Sequence, residues 1–159
     1  MGKKLVAYFS VGGATKRAAE KLSAAVGAEL FEICPLVPYT AADLDWRDAH
    51  SRSTVEMKDP ASRPELARTC AQMDGYDTVF VGFPIWWYIA PTIVNTFLES
   101  CDLTGKTVVP FATSGGSGMG RTCEKLRASC PGARLTEGRL IHEGDTEEEL
   151  AAWARSLGV

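Results

Sequence analysis

The sequence predicts an α/β fold in which a parallel sheet is covered by helices on both faces. Apolar runs of strand length alternate along the chain with stretches of helical spacing, which is typical of βαβ units. Three of these runs hold almost no polar residues, as expected of strands buried on both faces. With 159 residues, the chain is expected to form a single domain over residues 1–159.

The first three elements are predicted to be a strand, a helix and a strand. Residues 5–9 form a continuous apolar run, and residues 16–26 carry apolar side chains at helical spacing. Gly27 is a residue that commonly ends helices. Residues 29–34 alternate polar and apolar side chains before Pro35, which predicts an edge strand.

The segment from residue 35 to residue 64, the long segment below, breaks this pattern. It holds four prolines and the bulky Trp46, and residues 43–46 are compatible with one helical turn. Thirty residues is long for a connection in a compact domain, and such segments are usually functional or partly disordered. Two interpretations remain open: a lid or rim over a ligand, or a surface loop pinned by Trp46.

The second half continues the alternation of strands and helices. Strands are predicted at 78–83, 106–112 and 133–141, and helices at 65–73, 91–100, from about 120 through 127, and at 146–157. Thr146 followed by Glu149 is a capping-box pattern, which marks the start of the last helix. The sequence therefore contains five strands, as a five-stranded, three-layer, doubly wound sheet requires.

Three loops follow the first, third and fourth strands: the first loop (10–16), the second loop (84–90) and the third loop (113–120). Right-handed crossovers bring these strand ends to one edge of the sheet, where such folds bind ligands. The candidate binding residues are Ser10, Val11, Gly12, Gly13, Ala14, Thr15, Lys16, Pro84, Ile85, Trp86, Trp87, Tyr88, Thr113, Ser114, Gly115, Gly116, Ser117 and Gly118.

The first loop has the composition of a phosphate cradle. Backbone N–H groups in such a turn and at the following helix N-terminus attract anions, and Ser10 and Thr15 add hydroxyl groups. The loop lacks the Gly-Lys-Ser/Thr of a P-loop and the Gly-x-Gly-x-x-Gly of a dinucleotide fold. The alternative is a tight strand-to-helix turn that binds nothing.

The second loop carries Trp86, Trp87 and Tyr88, which are too bulky to point into the sheet together. At least one is expected to face solvent or a ligand, where it could stack on a planar ring; the alternative is that all three pack under the long segment. The loop contains no glycine, so positive φ is expected to be costly there. The glycine-rich third loop would let a flat ligand approach the backbone closely.

With these three motifs in order, the chain resembles the flavodoxin-like FMN proteins, most closely a subgroup of short-chain bacterial flavodoxins. The first loop is similar to the family pattern Ser/Thr-x-Thr-Gly-x-Thr, and the other two loops resemble its isoalloxazine loops; residues 31–48 also resemble the subgroup's long loop. The resemblance implies strand order 2-1-3-4-5 and FMN bound without a covalent link. Gly12 stands where the family often has threonine, so one phosphate contact is expected to be missing, with Lys16 as a possible replacement.

The resemblance implies a flavodoxin that transfers electrons between a reductase and acceptor proteins, without catalytic residues of its own. One alternative is an NAD(P)H-dependent FMN reductase acting on quinones or other small acceptors, with the long segment shaping its pocket. Another is a flavin-free binding module that uses the same cradle.

Several classes of protein are disfavoured by composition. A net charge of −3 gives no global attraction to nucleic acid, and no apolar run is long enough to cross a bilayer. The first residues lack a signal-peptide cleavage pattern, so a cytoplasmic location is expected. Five cysteines without a Cys-x-x-Cys pair, and only two histidines, predict free thiols and no metal site.

Overall fold

The strands form one parallel sheet in the computed structural model, which describes residues 2–69, 73–114, 116 and 118–159. The strands are β1 (Lys3–Tyr8), β2 (Glu29–Glu32), β3 (Tyr76–Pro84), β4 (Thr107–Thr113), β5 (Arg134–Leu135) and β6 (Arg139–Leu140). The helices are α1 (Ala14–Val26), α2 (Arg52–Lys58), α3 (Thr92–Glu99), α4 (Thr122–Leu126) and α5 (Glu147–Ser156), with a 3₁₀ turn at Arg127–Ser129. None of the helices in these described ranges has the length and apolarity that a membrane span needs.

The order of the strands is β2-β1-β3-β4-β5, and β6 also pairs with β4. Leu5 in β1 lies beside Glu29 on one side and Val79 on the other, and Val79 lies beside Val108 of β4. The chain thus moves outward from β1 to β2 and then returns past β1 to β3. This confirms the predicted doubly wound sheet with order 2-1-3-4-5 and places its switch point between β1 and β3.

The predicted fifth strand at 133–141 is divided into β5 and β6. Lys106, Val108 and Ala112 of the β4 region accept hydrogen bonds from this edge through their carbonyl oxygens. Alternation along a strand makes Pro110 face the same edge, and proline has no N–H to donate. The ladder is therefore interrupted there, and it resumes when Phe111 pairs with Arg139.

Two buried clusters lie on opposite faces of the sheet, as the alternation of side chains along β1 requires. The cluster on the α3 face includes Leu5, Ala7, Ile93 and Phe97. The cluster on the α1 and α5 face includes Val6, Leu22, Phe80 and Leu150. The result is the predicted three-layer arrangement.

The helix predicted at 65–73 is wrong for residues 65–69 and 73, while residues 70–72 lie outside the described residues. The backbone there pairs with the chain that follows β2. Leu36 N–H donates to the Glu65 carbonyl at 2.8 Å, and Ala67 N–H donates to the Cys34 carbonyl at 2.8 Å. These bonds satisfy the peptide groups in an extended form, so the propensity for helix does not decide the structure.

The long segment instead contains a helix that the sequence did not reveal, α2. Ser51 caps its start, because its hydroxyl accepts a hydrogen bond from Thr54 N–H. Residues 41–44, close to the predicted helical turn, form hydrogen-bonded turns without a helix. Ser51, Ser53 and Thr54 are polar yet buried. Because buried positions of α2 carry hydroxyl groups, the spacing of apolar residues does not indicate this helix.

Arg63, near the end of the long segment, connects that segment to α3. Its guanidinium donates to both carboxylate oxygens of Glu99, at 2.9 and 3.0 Å, and Ser129 Oγ donates to Glu99 at 2.7 Å. The Arg63 hydrogen bonds lower the pKa of Glu99, with the Ser129 bond and the charge of Arg63 acting in the same direction against a contribution from burial.

The last helix starts as predicted. Thr146 is the N-cap of α5, and its hydroxyl accepts a hydrogen bond from Glu149 N–H at 3.1 Å. The first helix starts two residues before the predicted position, at Ala14, and its C-cap Gly27 has φ +69°. The start of α5 and the end of α1 therefore have the capping residues that the sequence predicts.

Candidate functional site

The three loops lie together at the carboxyl edge of the sheet. Thr113, which ends β4, contacts both other loops: its hydroxyl lies 2.6 Å from that of Thr15, and its carbonyl accepts from Ile85 N–H at 2.9 Å. The third loop also meets the second where Gly120 lies, since a Cβ there would come within 2.5 Å of the Tyr88 carbonyl oxygen. Gly115 and Ser117, both candidate binding residues, lie outside the described residues.

The first loop is organised around the Ser10 hydroxyl. Ser10 Oγ accepts hydrogen bonds from the N–H groups of Gly13 and Lys16, each at 3.2 Å. Gly13 precedes α1 with φ +90°, a conformation that favours glycine. The N–H groups of Gly12, Ala14 and Thr15 have no acceptor among the described residues. The loop thus offers unpaired donors at a helix N-terminus, the donor set that suits a phosphate.

Glycine at position 12 has no steric cause in the described residues, because a Cβ there would meet nothing within 4 Å. Thr15 is different, since it is buried and its hydroxyl is shared with Thr113. Lys16 is exposed at the surface. Of the polar side chains in the first loop, Thr15 is the one tied to another element of the site.

The second loop makes a tight two-residue turn. Trp86 and Ile89 exchange both backbone hydrogen bonds, at 3.0 and 3.1 Å, around Trp87 with φ +49° and Tyr88 with φ +66°. Positive φ at both central residues is the type I′ pattern, usually formed by Asn and Gly. Positive φ is costly for residues as bulky as these, and the turn nevertheless adopts it. Such strain persists only where the surrounding structure holds it, commonly at functional sites.

The three aromatic side chains of this loop separate into two groups. Trp86 is half-buried and packs edge-on against Phe9 and Tyr39, with ring centroids 5.8 and 5.5 Å apart. Trp87 and Tyr88 are exposed, at 43% and 64% of their surface. Two rings face outward, as the expectation that at least one faces solvent or a ligand requires, and the alternative that all three pack under the long segment is wrong.

Tyr39, which the sequence did not single out, holds the long segment against the second loop. Its hydroxyl donates to Glu56, and the Arg52 guanidinium lies 3.9 Å from the centre of its ring and pairs with Glu56 at 3.0 Å. Burial and the hydrogen bond to Glu56 raise the pKa of Tyr39. Trp46 does not pin this segment, because 68% of its surface is exposed. Tyr39 follows Pro38 in a segment without regular spacing of apolar residues, so pattern analysis misses it.

A cleft of about 500 Å³ adjoins the first and third loops on the α1 side of the sheet. The second loop does not line it. The lining residues are Ala14, Arg17, Ala18, Lys21, Thr113, Ser114, Ile141, His142 and Glu143. Of these, Ala14, Thr113 and Ser114 were predicted site residues, whereas the charged residues were missed. The spacing of Arg17 and Lys21, one helical turn apart, could have indicated from the sequence that two basic side chains share one face of the helix.

The described residues contain no cluster of histidine, cysteine or acidic side chains that could hold a metal ion. The thiols of Cys34, Cys123 and Cys130 are free. The chemistry of the site therefore rests on backbone donors, hydroxyl groups and exposed aromatic rings. This set suits a phosphate-bearing ligand with a planar ring.

Fold and loops together define a doubly wound α/β protein with a mononucleotide-type site. The flavodoxin family model matches residues 3–157, and the chain belongs to the flavodoxin family. A candidate flavoprotein from Bacteroides eggerthii is 51% identical, with TM-score 0.95, over 100% of this chain and 99% of that one. A second, from Bacteroides uniformis, is 49% identical, with TM-score 0.91, over 97% and 98%.

A more distant flavoprotein, from Lactobacillus acidophilus and in complex with FMN, shares the fold. It is 22% identical, with TM-score 0.75, over 97% of this chain and 99% of that one. Comparison with curated proteins gives no match.

Proposed function

We propose that this flavodoxin holds FMN without a covalent link and carries electrons between a reductase and acceptor proteins of the cytoplasm. The observation that carries the proposal is the convergence on Thr113 of the loops that follow β1, β3 and β4. The L. acidophilus flavoprotein of the same fold is in complex with FMN, which supports the same cofactor here. When bound, FMN would supply the one- and two-electron chemistry.

The residues of the three loops would divide the cofactor between them. The unpaired N–H groups of Gly12, Ala14 and Thr15 would bind the phosphate, with the helix N-terminus of α1 favouring its charge. The exposed rings of Trp87 and Tyr88 would contact the planar ring system. The backbone at Gly116 and Gly118 carries no Cβ and would allow a flat ring to approach closely, and a Cβ at either position would meet nothing within 4 Å among the residues that the structure describes.

The composition of the loops favours a carrier over an enzyme. Their titratable side chains are those of Lys16 and Tyr88, and the loops contain no carboxylic acid and no histidine. Carboxylic acids and histidine are the side chains that most often serve as general acids near neutral pH. Reduction of a quinone to a hydroquinone consumes two protons, whereas transfer of electrons to a protein acceptor requires no such donor.

The experiment compares the purified protein with and without a protein reductase. The protein should be yellow, with flavin absorption bands, and the cofactor released by heat should be FMN. Under anaerobic conditions, NADPH with a flavoprotein reductase should bleach the flavin rapidly, and NADH or NADPH alone should not. Turnover of NADH or NADPH with a quinone and no added reductase would instead establish the enzymatic alternative. A colourless protein that takes up no FMN would refute both.

A further inference from the structure

Six of the nine residues that line the cleft lie outside the three loops proposed to hold FMN, and we call the part that they line the outer cleft. It runs between α1 and the segment that follows β6, and its polar side chains are those of Arg17, Lys21, His142 and Glu143. The whole cleft, including the part lined by the first and third loops, has a volume of about 500 Å³, which lies within the usual range of small-molecule sites. The residues of the outer cleft have no part in the proposed binding of FMN.

Lys21 brings an uncompensated positive charge to this cleft. Its half-buried ammonium donates to two backbone carbonyls, those of Glu143 at 2.8 Å and Asp145 at 2.6 Å. The Asp145 carboxylate is engaged elsewhere, with Arg139 at 3.3 Å and His142 N–H at 2.9 Å. Among the described residues, no carboxylate pairs with Lys21. A partly desolvated cation with only neutral partners favours an anion beside it.

Arg17 provides a second cation one helical turn away on the same face of α1. Its guanidinium pairs with Glu143 at 2.7 Å, but both side chains are largely exposed, at 60% and 76%. Exposed ion pairs contribute only about 0.2–1 kcal/mol, so a ligand with stronger negative charge could displace Glu143. Arg17 and Lys21 would then present two cations side by side, which matches a diphosphate better than a single phosphate.

The rest of the lining suits the remainder of a nucleotide. Ala14, Ala18 and Ile141 provide apolar surface, and the exposed imidazole of His142 offers a flat ring at the mouth. We propose that the outer cleft binds a nucleoside diphosphate, with Arg17 and Lys21 on the diphosphate and the apolar wall beside the nucleoside. The site goes beyond the proposed function, because an FMN electron carrier needs no second nucleotide.

The test is a calorimetric titration of the FMN-loaded protein with ADP, pyrophosphate and adenosine at low salt. ADP should bind more tightly than either part alone. Lys21→Gln should weaken ADP binding at least tenfold. Arg17→Gln, which changes an exposed side chain, should also weaken it. Lys125→Gln, which removes an exposed lysine on α4, is the matched control and should leave the affinity unchanged.

Three results would overturn the proposal. The first is that the FMN-loaded protein does not bind ADP. The second is that ADP displaces FMN, which would place ADP in the first loop. The third is that Lys21→Gln and Lys125→Gln have the same affinity for ADP. Equal affinity for pyrophosphate and ADP would refute the nucleoside part. The flavin absorbance of each variant is recorded separately. A protein that holds no FMN would contradict the proposed function, while the same titration would still decide the cleft.

Discussion

Removal of the Thr15 hydroxyl tests whether the first loop holds the phosphate of the cofactor. Thr15 is 2% exposed, and its hydroxyl lies 2.6 Å from that of Thr113. Thr15→Ala deletes this hydrogen bond, which is worth about 0.5–1.5 kcal/mol net, and leaves Thr113 without that partner. Thr113→Ala deletes the same bond from the other side. The two variants should therefore lose comparable stability.

Cofactor affinity separates these variants. If the Thr15 hydroxyl also bonds the phosphate, Thr15→Ala loses a hydrogen bond to a charged group, worth about 1.5–3 kcal/mol. This corresponds to about 10- to 150-fold weaker FMN binding, since about 1.4 kcal/mol is a factor of ten. Thr113→Ala should weaken binding much less, and Thr15→Ser, which keeps the hydroxyl, should restore most of the affinity.

The assay is a fluorescence titration of FMN with the apoprotein of each variant, with unfolding by urea measured in parallel. Equal losses of affinity in Thr15→Ala and Thr113→Ala would mean that the hydroxyl acts only by joining α1 to β4. No loss in Thr15→Ala would refute a contact between the Thr15 hydroxyl and the phosphate.

Three further predictions concern stability, each measured by urea unfolding. Ser53 is buried and its hydroxyl has no partner among the described residues, so Ser53→Ala should raise the free energy of unfolding by about 1 kcal/mol, whereas Ser51→Ala should lower it by about 1 kcal/mol through loss of the α2 cap. Gly120→Ala should lower the free energy of unfolding by about 1–3 kcal/mol, because position 120 has φ +55° and a Cβ there would lie 2.5 Å from a backbone oxygen of the second loop. Gly118→Ala is the control and should lower it far less, since a Cβ there would meet nothing within 4 Å among the described residues. Equal losses in the two variants would contradict the contact at Gly120. The pKa of Glu99 is lowered in the folded protein by its arginine partner, so its stabilising contribution is present above the usual value of 4.5 and is lost as pH falls through the folded pKa; the gap in stability between the native protein and Glu99→Gln should narrow below that pH, and a gap that widens would refute the assignment.

The sequence predicts the sheet well because buried parallel strands leave a strong local signal. The runs that became β1, β3 and β4 are almost entirely apolar, and their order follows from topology once the family is recognised. The division of β5 from β6 depends on which way Pro110 faces, which only pairing decides. Residues 65–69 likewise become extended through bonds to 34–36, a long-range effect that local propensity does not contain.

The sequence predicts which loops form the candidate site, but not which of their residues contact one another. Glycines, hydroxyl groups and aromatic residues at three strand ends could be found by inspection, because their chemistry is unusual at such positions. Tyr39 could not, because its partners Trp86 and Glu56 lie more than ten residues away. The spacing of Arg17 and Lys21 indicates a basic pair, but the two carbonyls of the 143–145 segment that hold Lys21 are visible only in the structure.

The strained second loop is explained by what surrounds it. Trp87 and Tyr88 keep positive φ because the turn is held by its neighbours: the Trp86–Ile89 pair closes it, and Ile85 N–H donates to the carbonyl of Thr113 at the end of β4. Thr113 also holds Thr15, so one residue at the end of a buried strand fixes all three loops relative to one another. A ligand that binds there would order little additional chain in the first and second loops. The conformational entropy of these two loops is lost during folding, so binding costs less entropy and the net affinity is higher.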